Sequence, residues 1–322
     1  MRFNLITYMN YPFGLGWDYN LLKNLLEGWG HEVRGVDLRS IEGNWEGPVE
    51  DADVNIFLEL LSGPLFKFAK QNWFIPNQEW YHAQWDRWLP GLDKLLCKTH
   101  EAYNAFASRV PDEKRIHIGF ESRDLYDPTI PRKKKFLHVA GGSASKNTTA
   151  VAYAFAKFFN DPYDKDCNQE LVLVSRDCNH NNLLRDRKNC QYIEKAGDEE
   201  LRILMNECTY HIMPSGAEGW GHVIHEGLGC GAVMITTDFP PMNESTGIDR
   251  RYLVATPKWD PMNAIGRFAW VGALQVKAAV EQAAQMWNTR DRLQAIQDKA
   301  RASFLIDREF FRQKFKELVD NV

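Results

Sequence analysis

Short apolar runs alternate along the chain with longer amphipathic segments, and glycine, proline, asparagine or serine marks most of the junctions. Phe3 to Met9 has the continuous apolar character of a buried strand, Asp18 to Glu27 the spacing of a helix, and Glu32 to Val36 that of a second strand. Val54 to Leu58, Trp73 to Ile75, Lys94 to Cys97 and Arg115 to Ile118 continue as short strands between helical or irregular stretches. Tyr81, Trp85 and Trp88 fall at helical spacing and are expected in the core. A second series opens with strand Phe136 to Ala140, the small-residue loop Gly141-Gly-Ser-Ala-Ser-Lys-Asn147 and an alanine-rich helix to Phe159. Strand Leu171 to Val174, strand 190–193, helix 198–208 and strand Tyr210 to Met213 follow, then strand Val233 to Thr236. Strands separated by helices predict a parallel, doubly wound α/β sheet, here twice over.

Between the two series, Glu121 to Pro131 is polar and carries Pro128 and Pro131, and the basic run Arg132 to Lys135 reads as a solvated linker edge. This predicts domains at 1–128 and 129–306. The tail is expected to form three helices, Arg267 to Trp287, Arg290 to Phe304 and Arg308 to Val322, the last with a stripe of Phe310, Phe311, Phe315 and Leu318.

At 322 residues, 44% hydrophobic and 25% charged, the chain is a globular protein with room for two domains. No apolar run approaches the ~20 residues of a membrane span. The net charge of −4 argues against a broad nucleic-acid-binding surface. Cys97, Cys167, Cys178, Cys190, Cys208 and Cys230 show no paired spacing for zinc, so reduced thiols and a cytoplasmic location are expected.

The chemistry concentrates between Pro214 and Asp238. Pro214 and Ser215 stop an apolar strand, and Gly216, Gly219 and Gly221 leave a backbone with few side chains to obstruct a ligand. A helix from about His222 to Leu228 then offers its unpaired N–H groups and the positive end of its dipole to a phosphate. Glu218 precedes that helix and Glu226 lies two turns along it, so two acceptor-only carboxylates flank the anion site. A nucleotide sugar, with hydroxyls on both sides of a diphosphate, suits that pattern. Lys146 at the start of the helix after Phe136 to Ala140 is a flexible cation for the same diphosphate, expected as a surface charge in the empty protein. Asn77, Glu79 and His82, just past the strand Trp73 to Ile75, are candidates for contacts to an acceptor or donor sugar, with a helix cap as the alternative role of Asn77.

Glu218-x7-Glu226, set in Pro-Ser-x-x-Glu-Gly-Trp-Gly and followed by Glu-Gly-Leu-Gly-Cys-Gly-Ala-Val, resembles the donor-site signature of retaining GT-B glycosyltransferases, most closely family 4. The resemblance implies two Rossmann-like doubly wound domains facing a central cleft, the first for the acceptor and the second for a nucleoside diphosphate sugar such as a UDP-sugar. It implies that Glu218 contacts the donor sugar, that Glu226 binds the ribose hydroxyls, and that Gly219, Trp220 and Gly221 hold the diphosphate. The opening strand, the loop containing Gly14 and Gly16, and Gly-His-Glu-Val33 resemble the first unit of GT-B amino-terminal domains, which makes Gly14 and Gly16 donor-side candidates. Asn243 lies in the family's loop after the strand Val233 to Thr236. The family's arginine four to six positions ahead of the lysine is replaced here by Ala140, Gly141 and Gly142, and Arg176 is the candidate substitute.

The implied reaction is sugar transfer to a hydroxyl with retained anomeric configuration, with no cofactor and no metal. Asp164-Lys-Asp166, which superficially resembles a metal-binding pair, sits in a polar turn. The last helix, about 307–322, is expected to pack back on the first domain. The acceptor stays open among a sugar, a lipid-linked sugar, a protein and a hydroxymethylated pyrimidine of DNA. A sugar-nucleotide isomerase or non-catalytic binder on the same scaffold is the competing class.

Overall fold

The computed structural model describes residues 1–9, 14–159 and 169–322, so Asp164, Asp166 and Cys167 lie outside the described residues, as do residues 10–13 of the first glycine loop. The chain divides into two compact units. The first comprises residues 1–120, 261–267 and 310–322, and the second residues 121–260 and 268–309.

In the first unit, Phe3, Leu5 and Ile6 are fully buried on both sides of strand β1 (Arg2–Thr7), as a strand inside a parallel sheet requires. It is joined by β2 (Glu32–Leu38), β3 (Trp45–Glu46), β4 (Ala52–Leu58), β5 (Ala69–Ile75), β6 (Lys94–Cys97) and β7 (Arg115–His117) in the order β3-β2-β1-β4-β5-β6-β7. All pairings are parallel except β2 with β3. Asn4 donates to Asn55 at 3.0 Å and Asn55 to Asn72 at 2.9 Å, a buried amide ladder across β1, β4 and β5 that fixes their register. Helix α1 (Gly14–Gly28) buries Leu15, Leu22 and Leu26, and a shorter α2 (His100–Ala105) starts on a Thr99 cap that accepts from the Ala102 N–H. Tyr81 and Trp85 are fully buried and Trp88 half-buried, but their segment is a run of 3-10 turns, Gln78–Trp80 and Ala83–Gly91, where Pro90 cannot supply an α-helical N–H.

The second unit carries β8 (Lys133–Gly141), β9 (Glu170–Ser175), β10 (Cys190–Ile193), β11 (Cys208–Met213) and β12 (Val233–Thr236), all parallel, in the order β10-β9-β8-β11-β12. Helices α3 (Thr148–Phe158), α4 (Cys178–Leu184), α5 (Asp198–Glu207) and α6 (His222–Gly229) connect them, and two apolar clusters, one containing Phe136, Phe155 and Tyr210 and the other Leu137, Met205 and Leu228, fill its core. In each sheet the first strand sits between the second and fourth major strands, so the order reverses beside β1 and beside β8. Such a reversal opens a crevice at the carboxyl ends of the strands, where α/β folds bind ligands.

Three expectations are corrected. The run from Arg267 is not helical at its start: β13 (Lys258–Met262) and β14 (Gly266–Trp270) form a hairpin, and helix α7 occupies only Ala273–Gln285. The last two expected helices are one, α8 (Arg290–Asp320), because residues 305–307 include no glycine or proline to break it. Its buried stripe near the end is Phe311, Phe315 and Val319, with Phe310 42% exposed. The basic run is not a linker edge either: it leads into strand β8, with Lys133 exposed. Lys133 and Lys135 open β8 and both pair with Glu207, at 2.9 and 3.0 Å, while Arg132 donates to the carbonyls of Cys208 and Cys230.

Candidate functional site

The crevice of the second unit is built by the loops that leave β8 and β11, neighbours at the reversal point. The first loop turns at Gly141 with φ +58°, passes through a 3-10 turn over Ala144–Lys146, and enters α3 through Asn147 at φ +50°. The Ser143 hydroxyl accepts from the Ser145 N–H at 3.3 Å. Two bonds tie this loop to the second: the Gly216 N–H donates to the Ser145 carbonyl at 2.7 Å, and Asn147 Nδ2 donates to the Pro214 carbonyl at 2.8 Å. The second loop is also fastened to β14, because the Ala269 N–H donates to the Gly216 carbonyl at 2.8 Å. A Cβ on Gly216 would stand 2.5 Å from the Phe268 ring. This glycine therefore serves close packing and clears no space for a ligand, contrary to its expected role.

The fastened loops bring Lys146 and Glu218 together. The Lys146 ammonium donates to Glu218 Oε1, with side-chain exposures of 14% and 11%. Lys146 is thus not the surface charge expected, and the two charges, 72 positions apart, neutralise each other. Beneath them His138 is fully buried, its Nδ1 bonded to the Ile212 carbonyl at 2.6 Å and its Nε2 to the Thr148 hydroxyl at 3.0 Å. Burial pulls its pKa down to about 4, so the ring is neutral at pH 7.

Gly221 caps the start of α6 at φ +86°, a left-handed conformation that glycine adopts without strain. No side chain caps this end, which leaves its first N–H groups and the positive end of the helix dipole for an anion. The Trp220 ring stacks on His225 at 3.8 Å and its Nε1 donates to the Ser122 hydroxyl at 3.0 Å, and His222 Nδ1 meets the same hydroxyl at 2.9 Å. The indole of Trp220 is therefore spent on organising α6. Gly219 is buried between Glu218 and Trp220.

Glu226 is buried on α6, and its Oε1 accepts from Arg123 Nε at 2.7 Å. Arg123 also reaches Asp198 at 3.3 Å. Burial opposes the charge on Arg123, yet Glu226 and Asp198 outweigh it and hold the guanidinium pKa above its ordinary value. Arg123 lies in the stretch expected to be a linker, and no spacing in the sequence links it to Glu226.

Arg176 follows β9; its N–H donates to the Gly141 carbonyl at 2.9 Å, and its Cδ lies 3.9 Å from where a Cβ on Gly142 would be. The structure thus sets this arginine beside the small-residue loop. Asn243 donates to Asp238 at 2.9 Å within its own loop.

In the first unit, Gly14 and Gly16 occupy the first turn of α1. Asn77 neither caps a helix nor stands open. It donates to Glu59 and accepts from Lys98 at 3.1 Å, and Lys98 is buried with Asp18 at 2.6 Å. Glu59, at the end of β4, has φ +62°, and burial raises its carboxyl pKa despite the Asn77 bond and the Lys98 charge. Glu79 is buried, with its carbonyl accepting from Asn263 at 2.7 Å, and His82 packs against Trp85 with ring centres 5.2 Å apart. Sequence reasoning missed Glu59, Asp18 and Lys98, which only the fold draws together.

Among the described residues no three His, Cys, Asp or Glu side chains are grouped to hold a metal ion, and no helix is long and apolar enough to cross a membrane.

Residues 131–271 match the family model described as Glycosyl transferases group 1. No curated protein matches the chain by sequence. The solved structures it resembles include the pneumococcal O-GlcNAc transferase GtfA in complex with UDP and GlcNAc, at 15% identity and TM-score 0.64, covering 85% of this chain and 57% of that one. The chain thus spans little more than half the length of GtfA. The sucrose-phosphate synthase of Thermosynechococcus elongatus gives 12% identity and TM-score 0.73 over 99% of this chain and 98% of that one. A glycosyltransferase from Rickettsia africae gives 13% identity and TM-score 0.70 over 98% and 97%. The fold is GT-B, with two Rossmann-like parallel-sheet units, and residues 131–271, which lie mostly in the second unit, are similar to group 1 glycosyl transferases.

Proposed function

We propose that this chain is a glycosyltransferase that moves a sugar from a nucleoside diphosphate sugar to a hydroxyl acceptor with retention of anomeric configuration. The observation that carries the reading is the contact of Lys146 with Glu218 at the reversal point of the second sheet, beside the uncapped start of α6, where Glu218 Cγ lies 3.6 Å from a Cβ position on Gly221. A cation and an acceptor held side by side match the two ends of a glycosyl phosphate bond. On donor binding, Lys146 turns from Glu218 to the diphosphate, and Glu218 takes a hydroxyl of the sugar. Glu226, with Oε1 steadied by Arg123, offers its carboxylate to the ribose diol. Arg176 is the candidate second cation beside the diphosphate.

The bond from the anomeric carbon to the diphosphate oxygen breaks, and its electron pair leaves with the diphosphate. The acceptor oxygen forms the new bond to that carbon, and its proton passes to the departing phosphate oxygen. Positive charge at Lys146 and at the helix start stabilises the developing negative charge, and Glu218 orients the sugar without forming a covalent intermediate. The neutral ring of His138 supports the Lys146 turn without adding charge.

A panel of nucleoside diphosphate sugars tests this, with binding followed by calorimetry and slow donor hydrolysis by NMR. One or more donors should bind with micromolar affinity and be hydrolysed without acceptor. A chain that binds no nucleoside diphosphate sugar would overturn the reading.

A further inference from the structure

Away from Lys146 and Glu218, a cavity of about 760 Å³ opens in the second unit between the segment 126–132, the end of α6 and the first turns of α8. Arg132 immediately precedes β8 and Thr209 is the second residue of β11, so the cavity adjoins the amino-terminal edge of the sheet, opposite the edge that carries the donor residues. Three features of its lining demand a ligand with acceptor oxygens. The Arg132 guanidinium is held by main-chain carbonyls, at 3.0 Å to Cys208 and also to Cys230, and among the described residues no carboxylate pairs with it. Gln297 Nε2 and Thr209 Oγ1 are buried, with the residues 9% and 0% exposed, and neither atom has a hydrogen-bond partner. Arg290 lies over the Trp287 ring at 3.9 Å, again with no carboxylate partner among the described residues.

Gly231 in the lining lets the backbone pass close to Gln297 and Arg132. Gly231 has φ +72°, and a Cβ there would come within 3.3 Å of the Gln297 carbonyl and 3.6 Å of Arg132 Nη2. The acidic residues of the lining divide into two groups. Asp127 is already engaged by Arg202 and Thr129, whereas Asp291 and Asp298 stand in the first turns of α8, Asp298 accepting from Gln294 at 2.8 Å.

We propose that this cavity binds a small sugar phosphate, at a site separate from the donor crevice. Buried donors without acceptors are costly, and a phosphate supplies acceptor-only oxygens to Gln297, Thr209 and Arg132 together. Arg290 adds a second guanidinium for the charge. Asp291 and Asp298 oppose a bare polyanion but accept hydroxyls, which is why the phosphate is carried on a hydroxylated skeleton. The inference does not depend on the proposed transfer reaction.

Thermal unfolding and calorimetry of the whole chain with glucose 6-phosphate and with inorganic phosphate test it. Glucose 6-phosphate should raise the unfolding temperature in a saturable way and bind more tightly than inorganic phosphate. Gln297→Leu and Arg290→Ala should each weaken it about tenfold, because each removes a bond to a charged oxygen. Both are gentler probes than substitution of Arg132, which also holds two main-chain carbonyls. Lys146→Ala should leave the response intact. A response abolished by Lys146→Ala and kept in Gln297→Leu would assign the binding to the donor crevice and overturn the proposal. So would the lack of any response at millimolar glucose 6-phosphate, or equal affinity for inorganic phosphate.

Discussion

Arg123 Nε donates to Glu226 Oε1 at 2.7 Å, joining residues 103 positions apart, so the carboxylate expected to take the ribose is oriented before any ligand arrives. A preoriented acceptor loses less entropy on binding. Glu226→Ala should therefore weaken nucleoside diphosphate affinity roughly 10-fold or more, from bonds worth ~1.5–3 kcal/mol each. Arg123→Ala should weaken it less, since the carboxylate remains and only its orientation is lost. Calorimetry on the two folded variants gives the order, and an unchanged affinity in Glu226→Ala would refute the ribose role.

Lys146→Ala has two expected effects, because the Lys146–Glu218 contact is largely shielded from solvent. Turnover should fall steeply as leaving-group stabilisation is lost. Stability should also fall, by about 1–2 kcal/mol, a value between those of exposed and fully buried pairs. Adding Glu218→Ala should return part of that stability, since the shielded carboxylate that lost its lysine is then removed as well, while activity stays lost. A double-mutant cycle on the unfolding midpoint measures this directly, and additive losses would argue against the pairing.

Glu59 holds φ +62° at the carboxyl end of β4, a backbone region that costs a side-chain-bearing residue about 1 kcal/mol or more. Glu59→Ala and Glu59→Gly both remove the bond from Asn77, so comparing them isolates the backbone. Glycine should be the more stable of the two by about 1 kcal/mol, the reverse of the usual order. Denaturant unfolding of both variants decides it. Equal stabilities would mean that the local backbone relaxes.

Burial lowers the pKa of four second-unit histidines, His138 to about 4, His211 and His225 to about 3, and His180 in the same direction. Each is neutral in the fold and takes up its proton earlier when unfolded, so its contribution is complete above pH ~6.5 and is lost as pH falls toward 4 and 3. Asp307, raised to about 6 by burial, works in the opposite direction between its ordinary range and that value. The four histidines outweigh Asp307 in the second unit and leave a net loss of stability on acidification. His211→Leu should flatten the slope between pH 6 and 4 by about 1.4 kcal/mol per pH unit. An unchanged slope in that variant would show that His211 is protonated in the fold.

The fold class was legible because the strands of both sheets are apolar runs bounded by small residues, a pattern that survives without any tertiary information. The β13–β14 hairpin was not, since its residues are mostly half-exposed and Gly266 to Trp270 runs straight into the apolar start of α7. Glu218 and Glu226 stood out by their spacing and setting. Their partners Lys146 and Arg123 did not announce the pairing, because neighbouring loops at a sheet reversal bring together residues that are far apart in sequence. Gly216 shows the converse: a glycine that reads as open space proves to be filled by Phe268.

The manner in which the diphosphate is held also bears on metal use and stereochemistry. In the proposed complex Lys146, Arg176 and the start of α6 neutralise the leaving group with protein charge, and Glu218 and Glu226 are committed to hydroxyls. A chelator should therefore leave transfer or donor hydrolysis largely intact. In the proposed mechanism, as the Glu218-x7-Glu226 resemblance implies, the acceptor enters on the face the diphosphate leaves, and NMR of the first-formed product should show the donor's anomeric configuration. Inversion with undiminished activity in chelator would preserve the charge argument and overturn the assigned face of attack. Activity abolished by chelator and restored by manganese or magnesium would overturn the charge argument itself and direct attention to Asp164 and Asp166.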